Sequence, residues 1–102
     1  MITVVATVQC AEGQRDSFLA EFRKIIPLVH AESGCLEYGP TIDAASDITN
    51  QNVDGNRVTI VEKWESIETL KAHLVAPHML EYRPKVKDFV VSSELRVLED
   101  AS

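Results

Sequence analysis

Ionisable and aromatic side chains are concentrated in one stretch of the chain, residues 57–82. Glu62 and the only tryptophan, Trp64, are two residues apart, so they point to the same face of a predicted strand. Two of the three histidines, His73 and His78, follow in a predicted helical part. Imidazoles and partly buried carboxylates can take up and return protons near neutral pH. We therefore predict that Glu62, His73 and His78 are catalytic.

Aromatic side chains could bind a flat substrate beside these groups. Trp64 could stack on such a molecule, and Tyr38 and Tyr82 could donate hydrogen bonds to a bound oxygen atom. Each residue also has a structural interpretation, because tryptophan and tyrosine on apolar stripes commonly belong to a core. The carboxylate could likewise be ion-paired and the imidazoles simply packed. We treat Trp64, Tyr38 and Tyr82 as candidate substrate-binding residues.

No metal site is expected. The spacing of Glu62, His73 and His78 matches no set of metal ligands on one helix or strand. Cys10 and Cys35 match neither a zinc pattern nor a C-x-x-C redox pair. We expect both cysteines to be free thiols, buried or half-buried.

Length and charge limit the classes of function. A chain of 102 residues predicts a single domain, 1–102. The net charge of −6, from 10 basic and 16 acidic residues, disfavours binding to nucleic acid or to anionic membranes. No apolar run approaches the roughly 20 residues of a membrane span. The first residues also lack the basic start and cleavage site of a signal peptide, so a cytoplasmic location is expected.

Hydrophobic periodicity predicts six main elements. They are a strand at 2–9, a helix at 14–33, strands at 35–42 and 57–64, a broken helical segment from 66 to about 90 with a division before Pro77, and a strand at 92–98. This β-α-β-β-α-β order predicts an α+β, ferredoxin-like fold with a four-stranded antiparallel sheet. Any pocket should lie between the sheet and the helices, or under the polar loop 43–56.

Several local features sharpen this prediction. Pro27 should bend the first helix or end its regular part early, and Gly34 suits the left-handed position after it. Ser66 is a plausible N-cap. A short extension of the sheet could lie at 48–52. On the last strand, Leu95 and Val97 should face the core.

The predicted architecture leaves one face of the sheet without helices. A largely apolar, uncovered face marks an interface. We therefore predict a homodimer in which two sheets face each other.

Several segments resemble one known family. The segments are E-S-G-C-L-E-Y at Glu32–Tyr38, V-E-K-W-E-S at Val61–Ser66, the leucines before His73, and A-P-H-M at Ala76–Met79. The chain is similar to antibiotic biosynthesis monooxygenase domains from about Ile2 to Leu98, and in particular to the bacterial quinol monooxygenase branch. The first strand lacks the asparagine of the haem-degrading branch. Ile60 stands where the polyketide-oxidising branch has asparagine.

The resemblance implies a ferredoxin-like dimer, often closed into an α/β barrel. It also implies oxygenation of a quinol or similar aromatic substrate by molecular oxygen, with neither metal nor flavin as cofactor. A quinol that loses a proton becomes electron-rich and can donate an electron to oxygen directly. Such an enzyme needs a dry aromatic pocket, a proton acceptor and hydrogen-bond donors.

Two other functions stay open at this stage. The same histidines and carboxylate could serve an isomerase or another proton-transfer enzyme acting on a small carbonyl compound without oxygen. The domain could also be a non-catalytic binding or stress-response module, because one fold supports many functions.

Overall fold

The computed structural model describes residues 1–102, and its elements follow the predicted order. They are β1 (Ile2–Cys10), α1 (Arg15–His30), β2 (Cys35–Thr41), β3 (Arg57–Trp64), α2 (Ile67–Leu74), α3 (Pro77–Val86), a single turn of 3-10 helix (Lys87–Phe89) and β4 (Val90–Glu99). All strand pairs are antiparallel, and the strand order is β2-β3-β1-β4. The predicted ferredoxin-like α+β fold is confirmed, with the second helical segment in two pieces.

The core lies between one face of the sheet and α1 to α3. Alternate residues of β1 and β3 point towards the helices, and Val4, Val58 and Trp64 are completely buried. The helices supply the predicted apolar stripes, including Phe18 and Phe22 of α1. None of the helices is long and apolar enough to cross a membrane.

The edge strand β4 differs from the prediction. Leu95 and Val97 pair with Ala6 and Val4, so they lie on the helix side of the sheet as expected. They are nevertheless 49% and 45% exposed, because the helices cover the middle of the sheet and leave its β4 edge open. The predicted direction of both side chains is therefore confirmed, but neither is buried.

Two further expectations are corrected. The residues between β2 and β3 form no strand, so the predicted extension of the sheet at 48–52 is absent. Polar contacts instead hold the segment between β2 and β3 in place, and one of them is a bidentate contact between Arg57 and Asp43. The uncovered face of the sheet is also less apolar than predicted. Its valines and one leucine alternate with polar and charged side chains: Thr3, Thr7, Gln9, Thr59, Lys63, Glu94 and Arg96.

The turn between α1 and β2 is held against the start of α2. Gly34 has a φ of +82°, which confirms the predicted left-handed position, and its carbonyl accepts a hydrogen bond of 2.9 Å from the Glu65 amide. A methyl group on Gly34 would lie 2.5 Å from the Cγ2 atom of Thr69. Thr69 is itself fixed, because it forms a reciprocal capping box with the predicted N-cap, Ser66. Any larger residue would push this turn away from α2.

We predict that Gly34→Ala lowers the free energy of unfolding more than Gly13→Ala does. Gly13 has a similar φ of +76° but nothing within 4 Å of the added methyl group. Both variants should lose about 1–2 kcal/mol from the left-handed backbone. Gly34→Ala should lose roughly 1–3 kcal/mol more from overpacking against Thr69. Urea unfolding of the two variants measures the difference, and equal losses would contradict the close packing of the turn.

Candidate active site

An open cavity of about 440 Å³ lies between the sheet and the helices, as predicted. Of its 18 lining residues, 12 are hydrophobic, so most of its wall offers no hydrogen bonds to water. Phe18 and Phe22 of α1 form part of this wall, together with Met79 of α3. The cavity is large enough for a bicyclic aromatic molecule, and its polar groups are few and localised.

Glu62 is the acidic group of the inner wall, and it is only 5% exposed. Its Oε1 accepts a hydrogen bond of 2.9 Å from Nε1 of Trp64. Burial raises the pKa of the Glu62 carboxyl above its ordinary value; the hydrogen bond from Trp64 and the nearby His73 oppose this rise, and Glu32 adds to it. Glu62 is therefore a carboxyl group that holds its proton more strongly than an exposed glutamate.

Trp64 is completely buried and does not line the cavity. Its ring packs against His73, with ring centroids 4.6 Å apart, and its N–H is used by Glu62. The structure thus corrects the expectation that Trp64 forms a wall on which a substrate stacks. The indole is part of the core behind the wall, where it supports His73 and Glu62.

His73 lines the cavity, and its other side is held by Glu32, a carboxylate that is not among the predicted site residues. Its Nδ1 lies 2.9 Å from Oε2 of Glu32, and the imidazole is only 2% exposed. A carboxylate oxygen accepts, so in the neutral imidazole Nδ1 carries the proton and Nε2 has a free lone pair. Nε2 makes no hydrogen bond within the protein. Every buried side-chain nitrogen and oxygen has a hydrogen-bond partner, so Nε2 is not fully buried and reaches open space. His73 is therefore arranged to accept a proton from a molecule in the cavity.

His78 also contacts Glu32 but lies outside the cavity wall. Its Nε2 is 2.7 Å from the same Oε2 atom that holds His73. The helical turn after Pro77 turns this side chain towards the surface between α1 and α3 rather than towards the sheet. The expectation that both histidines face one hollow is therefore corrected: Glu32 joins them, and only His73 faces the cavity.

Tyr38 and Tyr82 both line the cavity, as the predicted substrate-binding role requires. Neither hydroxyl makes a hydrogen bond within the protein, so both can donate to a bound molecule. Burial is the main cause that raises the pKa of each tyrosine well above its ordinary value. Both residues therefore keep their O–H and remain donors. Tyr38 also packs edge-on against His73, with centroids 5.4 Å apart.

Charged residues stand at the open side of the cavity. Arg83 comes from the end of α3, and Lys87 comes from the following turn. Arg83 is anchored by a hydrogen bond of 2.6 Å to the backbone oxygen of Leu74. Periodicity gave no signal for these residues, because they are exposed polar positions that become a rim only once α3 packs over β4.

Glu32 is the functional candidate that sequence patterns missed. It lies in the turn after α1, and its partners are 41 and 46 residues further along the chain. Periodicity therefore could not pair them. The only signal was the position of Glu32 in the E-S-G segment of the family resemblance, two residues before Gly34.

Glu32, His73 and His78 are also the residues that could hold a metal ion. Their ligand atoms lie within 4.8 Å of one another. Two imidazoles and one carboxylate form a ligand set that several transition metals accept. The expectation of no metal site rested on a different set of residues, with Glu62 in place of Glu32.

We predict that Glu62→Gln stabilises the protein at about pH 8 more than at about pH 4.5. The pKa of Glu62 is raised in the folded state, so the folded state binds a proton more readily than the unfolded state. Glu62 therefore weakens the fold above its folded pKa, and this loss disappears as the pH falls below the unfolded value. Thermal unfolding of the variant and the wild type at both pH values measures the difference. Glu37→Gln, at an exposed glutamate of β2, is the control that should show no such pattern.

The chain is similar to several known proteins. The family model described as antibiotic biosynthesis monooxygenase matches residues 1–85. The "Probable quinol monooxygenase YgiN" of Escherichia coli K12 is 39% identical over 101 residues, which cover 97% of each chain. The structure of Rv0793 from Mycobacterium tuberculosis matches with a TM-score of 0.79 and 26% identity, covering 99% of this chain and 98% of that one. The structure of PA3566 from Pseudomonas aeruginosa shares the fold, with a TM-score of 0.83 and 22% identity over 99% of this chain and 94% of that one. The chain belongs to the antibiotic biosynthesis monooxygenase family.

Proposed function

We propose that this protein is a monooxygenase that oxidises a quinol or a related electron-rich phenol with molecular oxygen, without a metal or flavin. The observation that carries this proposal is the position of His73. Its free Nε2 reaches an apolar, aromatic cavity while its Nδ1 is fixed by Glu32. A proton acceptor in a dry cavity is the main requirement for turning a quinol into a reactive anion.

The chemistry balances without an external reductant. His73 removes a proton from a quinol hydroxyl, and the resulting anion transfers an electron to oxygen. Recombination forms a carbon–oxygen bond on the ring. Cleavage of the O–O bond, with loss of the C–H proton from the same ring carbon, then leaves one oxygen atom on the product and releases the other as water. The quinol supplies all four electrons and becomes a hydroxylated quinone.

The other residues of the cavity fit supporting roles. The O–H groups of Tyr38 and Tyr82 can donate to the developing oxyanion, and preorganised donors are effective in a site that excludes water. Glu62 is a second group for proton transfer, because burial raises its pKa and so favours the protonated form more than in an exposed glutamate. The relative YgiN, named as a probable quinol monooxygenase, supports a quinol as the substrate class.

We predict that His73→Gln lowers kcat for oxygen uptake by about 10²- to 10⁴-fold, because the variant lacks the proton acceptor. The measurement is oxygen consumption with a chemically reduced naphthoquinone, corrected for spontaneous oxidation, with and without EDTA. EDTA should leave the wild-type rate unchanged.

His30→Gln is the matched control, because this imidazole contacts the Tyr38 backbone oxygen and does not line the cavity. Wild-type turnover no faster than the spontaneous rate would contradict the proposed function. Turnover of a small carbonyl compound in the absence of oxygen would instead identify a proton-transfer enzyme.

We also propose that the protein is a homodimer in which the uncovered sheet faces meet. Val5 and Val61 are cross-strand partners on this face, and Leu98 lies on it opposite Thr3. The polar side chains around these residues would form the rim of such an interface.

We predict that the wild type has twice the 11.3 kDa mass of one chain by light scattering and that Leu98→Glu shifts it towards the monomer. A carboxylate buried in the interface would lose its hydration without a partner. Leu80→Glu, on the exposed side of α3, is the control and should leave the mass unchanged. A wild-type monomer at micromolar concentration, or equal behaviour of both variants, would contradict this arrangement.

A further inference from the structure

The mouth of the main cavity carries two positive charges that no acidic side chain of the protein neutralises. Arg83 and Lys87 both line the cavity, and both are exposed. They are four residues apart, so their side chains lie one above the other on the same side of the end of α3. Neither belongs to any ion pair of the protein. A chain with a net charge of −6 therefore places two free cations beside an apolar cavity.

The guanidinium of Arg83 is held in place. Its Nη2 donates a hydrogen bond of 2.6 Å to the backbone oxygen of Leu74, the last residue of α2, which also lines the cavity. This bond uses one of the five N–H groups of an arginine, and Arg83 makes no other hydrogen bond within the protein. The remaining donors can bind an anion, and the anchor reduces the side-chain freedom that binding would cost.

The acidic groups of the cavity lie away from this pair. Glu62 is on the inner wall, where it is 5% exposed and accepts a hydrogen bond from Trp64. Glu94 borders the cavity, but it pairs with Thr7, so its side chain points to the uncovered face of the sheet. At the inner end, a negatively charged ligand group would lose its hydration among apolar side chains and beside a carboxyl group. At the mouth it would keep contact with water and with two cations.

We propose that Arg83 and Lys87 form an anion subsite that binds a carboxylate on the aromatic ring of the substrate. The preferred substrate is then a carboxylated quinol, not a neutral one. This inference deepens the proposed function and rests on it, because it takes the aromatic cavity to be the substrate site. A carboxylate bound at the mouth directs the opposite side of the ring inward, towards His73 and the two tyrosines, so the subsite determines both specificity and orientation.

The helix ends at the mouth favour a carboxylate over a more highly charged group. Both α2 and α3 end here, and the C-terminal end of a helix carries a partial charge of about −0.5. These partial charges offset part of the positive charge of Arg83 and Lys87, so the subsite suits one negative charge better than the two of a phosphate ester. The planar fork of a guanidinium also matches the two oxygens of a carboxylate.

Lys85 separates this interpretation from a purely structural one. Basic residues near the end of a helix stabilise it through the helix dipole, and Lys85 shares that advantage with Arg83. Lys85 does not line the main cavity; it lies at a separate cavity between α1 and α3, near Glu21 and Glu81. Lys85→Gln is therefore the matched control, because it removes the same charge from the same helix end without touching the proposed subsite.

Calorimetric titration with naphthol and hydroxynaphthoate tests the subsite without turnover. The two molecules share one ring system and one hydroxyl group and differ in the carboxylate. Arg83→Gln should weaken hydroxynaphthoate binding about 10-fold, the effect of losing a charge-assisted hydrogen bond. Lys87→Gln should weaken it about 2- to 5-fold, as expected for an exposed ion pair. Neither variant should change naphthol binding, which also reports that the cavity is intact, and Lys85→Gln should match the wild type with both molecules.

Ionic strength and oxygen uptake provide two independent readouts. Raising the salt concentration to about 1 M should weaken the binding of hydroxynaphthoate and leave that of naphthol unchanged. In oxygen uptake, Arg83→Gln should lower kcat/KM about 10-fold for a reduced naphthoquinone with a ring carboxylate, mainly by raising KM. The same variant should oxidise a reduced methylnaphthoquinone as the wild type does.

The possible results distinguish this inference from the proposed function. The anion subsite is wrong if the wild type binds naphthol and hydroxynaphthoate equally, if it binds neither, or if Arg83→Gln weakens both alike. Tighter binding of naphthyl phosphate than of hydroxynaphthoate would overturn the assignment to a carboxylate. If hydroxynaphthoate binds as expected but the wild type consumes oxygen with neither quinol, the proposed function fails and the anion subsite is supported as a ligand-binding site.

Discussion

The carboxylate of Glu32, shared by two imidazoles, is the interaction on which the site depends. It fixes His73 by its Nδ1 and so leaves Nε2 free for a molecule in the cavity. The Glu32 side chain is only 13% exposed, so it depends on hydrogen-bond partners within the protein, and the two imidazoles supply them. The position of Glu32 depends in turn on Gly34, whose missing side chain lets the turn approach Thr69 at the start of α2. Backbone geometry and site chemistry are therefore linked within three residues of the chain.

The other polar groups of the site are satisfied in the same local way. Glu62, which would be costly to bury alone, receives the indole N–H of Trp64. Trp64 then packs against His73 from behind, which restricts the imidazole to one orientation. The tyrosine hydroxyls are the exception, because they have no partner in the protein and line the cavity. Unpaired donors in an otherwise apolar cavity are the groups best placed to determine how a ligand is oriented.

Sequence patterns predicted the elements well because those patterns are local. The alternation in β1 and β3, the stripe of α1, the left-handed Gly34 and the cap at Ser66 all depend on neighbouring residues, and each is found in the structure. Leu95 faces the helix side as predicted but stays half exposed, because the sequence of β4 does not indicate whether a helix covers this edge of the sheet. The prediction that Trp64 lines the cavity was wrong for a related reason. Its alternation in the strand places it on the helix-facing side of the sheet but does not indicate whether it faces a cavity or a packed core. Glu32 could not be paired with its histidines, since no short-range pattern joins residues that far apart.

The long sequence separation between Glu32 and the two imidazoles determines when the candidate site forms during folding. The three side chains come from a turn and two different helices, and they meet only when the helical layer has docked on the sheet. Contacts between distant parts of a chain form late and together in small domains, because loop closure must come first. A nascent or partly unfolded chain would contain every one of these residues and still lack the arrangement. The site therefore forms only when the chain folds. A change that loosens the docked helices would abolish the whole site instead of weakening it gradually.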